Sequence, residues 1–353
     1  VSDLDLRVVD ALDAYAGEWD ALVDAAPRPS PFLRSWWLEG VAQPGASYVL
    51  ALDGAQLVGG LAVVEDRLLG VARARLAGRV ALMTYDLDAL VHPELDAARA
   101  DEVVARLAGW ISRPGSRFID IAGLAEDARL TGVLPRRAMV EREDTASWTP
   151  IPATFDEYLA DLPKNLRQDI NRSRRNLAAA GVVTRAVGTD GIDRAISDLR
   201  RLHDLRWGAG TTVFSQGYDA FARAARLGVT RGEAVFYEAV IDDRVLASLA
   251  TFELAGRSWF CQTGRDRDPD FASTGTLVRA AAIERACTRG LDIVDIGPGH
   301  RSRKERWARE SQAVLRARWG QGIVGRATAR SHIAARPVLR RLRGVPKASD
   351  EIS

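Results

Sequence analysis

The residues best suited to chemistry lie in the last third of the chain. From Gly264 to Arg285 the sequence reads GRDRDPDFASTGTLVRAAAIER. A strand ends, a polar loop follows, and Ser273, Thr274, Gly275 and Thr276 open an amphipathic helix carrying Leu277, Val278, Ala281 and Ile283. A helix start exposes unpaired N–H groups and the positive end of the helix dipole, so it can hold a phosphate. Gly275 lets a ligand approach the backbone, the three hydroxyls add donors, and Arg265 and Arg267 add charge. Ser273 or Thr274 could equally be an ordinary N-cap. Further on, LDIVDIGPGH (291–300) sets Asp295 on an apolar strand. Burial there would raise its pKa and suit it to hold or deprotonate an amine, the structural alternative being a cap or an arginine partner. His300, in a glycine-rich loop, is a second candidate base or an exposed loop histidine. Lys304 is one of three lysines among 49 basic residues. Its ammonium could neutralise phosphate or stabilise an oxyanion, or it could be solvated on a basic helix.

A second group has the character of an acceptor pocket. His203, Arg206 and Trp207 close a helix whose other face carries Ile196, Leu199, Leu202 and Leu205, and the loop Gly208 to Thr212 follows. A Trp and a His beside such a loop could wall a pocket, or Trp207 could be core. Tyr85, Asp86 and Asp88, far upstream, are expected to reach the same cleft. Cys261 has no base at a recognisable spacing and is expected to face a core.

The elements that must position these residues occur twice. Residues 48–66 read as two strands joined at Asp53-Gly54, and residues 235–254 repeat the pattern with the turn at Asp242-Asp243. After the first hairpin come a strand (72–78), a helix (about 94–112) and the strand RFIDIAGL (117–124); after the second, a strand (257–264), a helix (about 275–289) and the strand at 291–299. Asp120 and Asp295 hold equivalent places. Each copy opens with helices, at about 13–24 and 30–42, then at 154–180, 192–207 and 217–228. That order predicts an α/β protein with mixed sheets and helices on the faces. The proline-containing stretch 148–152 marks the junction. The expected domains are residues 1–150, residues 151–324, and a basic tail at 325–353.

At 353 residues, with 47% apolar and 27% charged residues, the chain reads as two globular domains and not as disordered, collagenous or coiled-coil protein. No apolar run is long enough for a membrane span, and the first residues, VSDLDLRVVD, lack a signal pattern. Two cysteines and four histidines suggest a reducing cytoplasm and no dedicated metal centre. The net charge of +2 conceals local bias. Residues 311–349 contain no acid but include Arg316, Arg318, Arg326 and Arg330, and two further basic clusters run from Lys164 to Arg175 and from Arg301 to Arg309. Such clusters suit phosphates, or form solvated helix faces.

Strand, phosphate-facing loop, helix and apolar strand, in that order, resemble the acyl-CoA-binding half of the GNAT acetyltransferase fold. Two such units in tandem resemble the FemABX-related group, especially its CelD/BcsL-type branch. The resemblance runs from about Trp19 to Trp319. It is carried by LPKNLRQDINRSRRNL (162–177), Leu202-His203 with Arg206-Trp207, Ser273 to Leu277, and Asp295 to Gly299 followed by Lys304 and Trp307, with Trp36-Trp37-Leu38 and Tyr85-Asp86 in the first half. Arg303 departs from the pattern, since relatives carry an aromatic there. The resemblance implies tandem duplicated GNAT-like domains, the first degenerate. It further implies transfer of an acyl group, acetyl being the expected one, from a CoA thioester to an amine of a small molecule or sugar precursor. The catalytic residues would be Lys304, Asp295 and His300. The donor would lie on Arg265, Ser273, Thr274, Gly275, Thr276 and Leu277, and the acceptor on Tyr85, Asp86, His203, Arg206 and Trp207. The competing reading is an aminoacyl-tRNA-dependent, Fem-like transferase, with the basic segments guiding the tRNA. It is weakened because no stretch is long enough for the helical hairpin of Fem-type enzymes. A non-catalytic protein held to anionic lipid by residues 326–343 is the third, its apolar face being thin and its helix broken at Pro337.

Overall fold

The computed structural model describes residues 4–79, 84–210, 212–299 and 306–342. The first half runs β1 (Asp5–Val9), α1 (Ala16–Asp24), α2 (Ser35–Gly40), β2 (Ala46–Asp53), β3 (Gln56–Leu68), β4 (Val71–Leu76), β5 (Leu90–Val91), α3 (Ala97–Ile111), β6 (Arg117–Ala125), α4 (Arg129–Gly132) and β7 (Met139–Pro150). The second runs α5 (Phe155–Asp161), α6 (Lys164–Ala179), β8 (Val183–Val187), α7 (Ile192–Trp207), α8 (Val213–Thr230), β9 (Ala234–Ile241), β10 (Arg244–Leu254), β11 (Arg257–Arg265), α9 (Thr274–Thr288), β12 (Ile293–Pro298), β13 (Glu310–Gln321) and α10 (Gly322–Leu342). Both hairpins form where turn chemistry favours them. Asp53 pairs with Gln56 across Gly54-Ala55, and Ile241 with Arg244 across Asp242-Asp243. Gly54 and Asp242 take the positive φ (62° and 50°) that short hairpin loops require.

All the strands join one mixed sheet in the order β1-β2-β3-β4-β6-β13-β7-β12-β11-β10-β9-β8, with β5 pairing on β3. The centre is an exchange. β7, the last strand of the first half, pairs with β12 of the second, while β13, the last strand of the second half, pairs with β6 of the first. The two exchanged strands pair antiparallel with each other. A continuous core seals the halves together: Phe32, Trp36 and Trp37 pack edge-on against Phe252 of the second half, with centroids 5.3–6.1 Å apart. Gly40 lets α2 press on α8, since a Cβ there would lie 2.3 Å from the backbone of Ala224. Trp36 Nε1 donates to Glu233 (2.6 Å), which also pairs with Arg34.

Each half contains a place where the sheet opens. Parallel strands β4 and β6 pair only from Ala72–Ala74 with Arg117–Ile119, and β11 and β12 only from Arg257–Trp259 with Ile293–Asp295. Beyond those three residues the strands diverge, although β11 continues to Arg265 and β12 to Pro298. A wedge is left at the same end of each parallel pair.

Three expectations are corrected. Residues 154–180 form two helices, because Leu162 is extended (ψ 154°) ahead of Pro163. Arg316 and Arg318 belong neither to a helix face nor to a solvated run: they point inward from β13, Arg318 only 1% exposed, and pair with Asp120, Glu143 and Glu141. Pro337 does not end the last helix, which runs through it to Leu342. No helix among the described residues is long and apolar enough to cross a membrane.

Candidate active site

The site begins with the carboxylate at the mouth of the second wedge. Asp295 is the last residue of β12 to pair with β11, and it is 1% exposed. A carboxylate buried so deeply needs donors. Tyr85 Oη supplies one at 2.5 Å and the Gly297 N–H another at 2.8 Å, both to Oδ1, while Arg257 Nη1 stands 3.5 Å from Oδ2. Tyr85 comes from the first half, so this bond crosses the junction. Burial, then the charge of Asp295, push the Tyr85 phenol well above its ordinary pKa and keep it a donor. Its loop is braced: Leu87 N–H donates to Gly123 O, and Asp88 accepts from the N–H groups of Arg129 and Leu130 at the start of α4. Asp88 thus anchors the start of α4 while lining the same cavity as Asp86.

Asp86, beside Tyr85, is buried with a left-handed backbone (φ 53°). Gln312 Nε2 donates to its Oδ1 at 3.0 Å, whereas Oδ2 is buried with no hydrogen-bond partner among the described residues. Burial, then repulsion from Asp295, raise its pKa to about 7, against the pull of Arg257 and Arg28. Asp86 lines a narrow cavity of about 50 Å³ together with Arg28, Leu33, Asp127 and Arg129. Arg28 is held there by a bidentate pair with Asp127 (2.9 Å for both bonds), its guanidinium 5.7 Å from the Trp148 ring. A carboxyl poised at neutrality beside a fixed cation is equipped to take a proton from an ammonium.

On the other side of the wedge, α9 starts directly after the loop that leaves β11. Ser273 occupies the N-cap position in helical geometry (φ −86°, ψ −1°) and its side chain makes no capping bond. The amides of Thr274 and Gly275 therefore lead the helix without a side-chain cap. Thr274 is buried, its hydroxyl donating to Phe271 O (2.8 Å), and Leu277 packs in a hydrophobic cluster of the second half with Val278, Phe260 and Trp307. Ser273 is exposed, Thr276 is half-buried, and the Arg265 side chain lies over Gly275, where a Cβ would sit 3.4 Å from its Cδ. One turn on, Arg279 stacks over Trp307 (5.3 Å), and burial together with the charge of Arg206 pushes its pKa down to about 10.

Residues 164–309 match the family model of the acetyltransferase (GNAT) domain. Among solved structures it is similar to FemX (12% identity, TM-score 0.63, covering 88% of this chain and 96% of FemX). It is also similar to the C-terminal domain of a putative lysylphosphatidylglycerol synthetase from Agrobacterium fabrum (10%, 0.56, 93% and 97%). A third is a tandem GNAT protein from the clavulanic acid biosynthesis pathway (17%, 0.52, 91% and 99%). At these identities the likeness is one of fold, and the fold is that of tandem GNAT domains. A comparison with curated proteins gave no match.

Within the matched residues the other sequence-read residues separate. His203 is buried against Phe214 (4.7 Å between rings), and burial lowers its pKa although Asp204 pulls the other way, so the ring is neutral at pH 7. It sits where α7 crosses β11: a Cβ on Gly264 would meet the His203 amide at 2.7 Å. Trp207 is 53% exposed and stacks under Arg206 at 4.7 Å. Cys261 is half-buried, and burial pushes its thiol pKa up. Lys304 and His300 lie outside the described residues. Sequence reasoning missed Arg28, Asp127, Arg257 and Gln312. Gln312 stands on β13, read only as part of an acid-free basic stretch, and Arg28 in a loop with no motif around it.

Proposed function

We propose that the protein is an N-acyltransferase that moves an acyl group, acetyl in the first instance, from a CoA thioester to the amine of a small molecule. The observation that carries this reading is the wedge between β11 and β12, with the uncapped start of α9 on one side and the Tyr85–Asp295 bond on the other. Diphosphate suits the Thr274 and Gly275 amides with Arg265 alongside, and the wedge suits an extended thioester arm. The acceptor enters from the Arg28 side as an ammonium. Asp86 takes one proton, and the free amine attacks the thioester carbonyl. The tetrahedral oxyanion then collapses, expelling the CoA sulfur, which collects the second amine proton. Asp295, whose Oδ1 is already held by Tyr85 and Gly297, positions this junction, and Asp86 replaces it as base. Lys304 keeps the oxyanion or phosphate role that its sequence position suggests, with His300 four residues before it in sequence. The first half (1–150) shapes the acceptor side and the second (151–324) binds the donor. Free Cys261 and Cys287 accord with a reducing cytoplasm.

The tRNA reading is less well supported. Arginines of the segment that would track a polyanion are engaged locally: Arg172 and Arg306 with Asp169, and Arg174 with Glu284. The test is acyl transfer from acetyl-CoA to a panel of amines, with charged tRNA as the rival donor at rising salt. Turnover with acetyl-CoA that responds mildly to salt is expected. Turnover with charged tRNA alone, falling steeply with salt, would overturn the proposal.

A further inference from the structure

The first half has its own wedge, between β4 and β6, and its chemistry is different. Where the second wedge opens at Asp295, this one opens at Asp120, and the space beyond is a polar cavity of about 150 Å³. Arg73, Arg75, Arg79 and Arg316 converge on it, with Asp120 the lining acid and Leu76 at the wall. Arg316 arrives on the exchanged strand β13, so both halves complete the cavity.

Among the described residues the surrounding carboxylates leave Arg75 incompletely paired. Asp66 takes Arg73 through Nε and Nη2 (2.7 and 2.6 Å) and Arg75 through Nη2 (2.8 Å). Asp120 takes Arg316 in a bidentate pair (2.6 and 2.5 Å), and Glu143 is shared between Arg79 and Arg316. Burial alone would raise the Asp120 pKa, but the hydrogen bonds and charge of Arg316 outweigh it, so the carboxylate is ionised. Among the described residues four guanidinium groups thus face three carboxylates, and Arg75 Nε is buried with no hydrogen-bond partner. A buried donor left unpaired in a roomy polar cavity is costly unless something accepts from it.

We propose that this cavity is a binding site for a compact oxyanion, a phosphate group held by Arg73 and Arg75, separate from the donor wedge of the second half. The volume accommodates a phosphate and its immediate attachment but not an extended thioester arm. Planar guanidinium forks around a small space suit tetrahedral oxyanions. The site is independent of the acyl-transfer reading, since its lining shares no residue with α9 or with the Tyr85–Asp295 pair.

The test is calorimetric titration of the full chain with inorganic phosphate, chloride being adjusted to hold ionic strength constant. Glycerol 3-phosphate serves as a parallel arm. The wild type should show saturable binding at one site per chain. Arg75→Met keeps the stem and removes the donors, and should weaken binding by about tenfold or more. Leu76→Phe, which narrows the cavity and leaves every charge in place, should weaken it too, and decides the matter if the arginine variant does not fold. Tighter binding of the ester assigns the phosphate to a larger metabolite, and equal binding to the free ion; either supports the site. Absence of saturable binding, or wild-type affinity in Leu76→Phe, would overturn it.

Discussion

Replacing Asp86 with asparagine should cost activity and add stability, with the balance set by pH. The carboxyl's pKa is raised from 3.8 to about 7 because the folded protein buries it beside Asp295. Below pH 3.8 it is protonated folded or unfolded and has no effect. Between 3.8 and about 7 the folded chain holds the proton more tightly, so stability falls as pH rises, and above about 7 the full cost applies. That cost is roughly 4 kcal/mol, from about three pH decades at 1.36 kcal/mol each. Asparagine has the same shape, can still bond Gln312 and cannot ionise. Denaturant unfolding should therefore show Asp86→Asn gaining on the wild type by roughly 3 kcal/mol more at pH 8 than at pH 5. The same change should lower acyl transfer by about 10²- to 10⁴-fold and abolish the rise of kcat/KM with pH through neutrality, which reports Asp86 losing its proton. An equal stability difference at both pH values would refute the burial argument. An intact pH profile in the variant would remove Asp86 as the base.

Tyr85→Phe deletes the phenol's bond to Asp295 Oδ1 and should lower kcat by roughly 10- to 100-fold, as for a lost hydrogen bond to a charged group, leaving the donor KM little changed. Gly275→Val places new atoms against Arg265 and the leading amides of α9, so the donor KM should rise while the acceptor KM holds; equal losses would mean the loop is misassigned. Lys304→Ala should reduce turnover with thermal stability intact, and unchanged turnover would remove it from the mechanism. Truncation after Arg309 removes β13, leaving β6 and β7 unpaired along the sheet centre, and should give aggregated protein by size-exclusion chromatography; a soluble monomer would contradict the role given to the exchanged strand.

The repeat was legible because its signals are local. Apolar alternation meets turn residues at Gly54 and Asp242, and single apolar strands flank each crossover helix. The exchange was not legible, because it depends on partners distant in sequence. β7 (MVEREDTASWTP) and β13 (ESQAVLRARWGQ) carry charges where a buried strand would ordinarily be apolar. Those charges are offset across the sheet, Glu141 pairing with Arg318, Glu143 with Arg316 and Arg79, and Asp120 with Arg316. Read alone, each strand looks like a loop or a basic tail. The site divided in the same way. Asp295 and the α9 start announced themselves through strand and helix patterns, and Tyr85-Asp86 through resemblance. The anchoring role proposed for Asp295 rests on the two donors, Tyr85 and Gly297, that meet at its Oδ1, and neither bond is visible in the sequence.

A crystal structure of the protein with a non-hydrolysable acetyl-CoA analogue bears most directly on the donor site. The diphosphate is predicted within hydrogen-bonding distance of the Thr274 and Gly275 amides, with the pantetheine arm between β11 and β12 and the acyl carbon facing Asp86. An analogue bound elsewhere, with side chains closing the space between those strands, would contradict it.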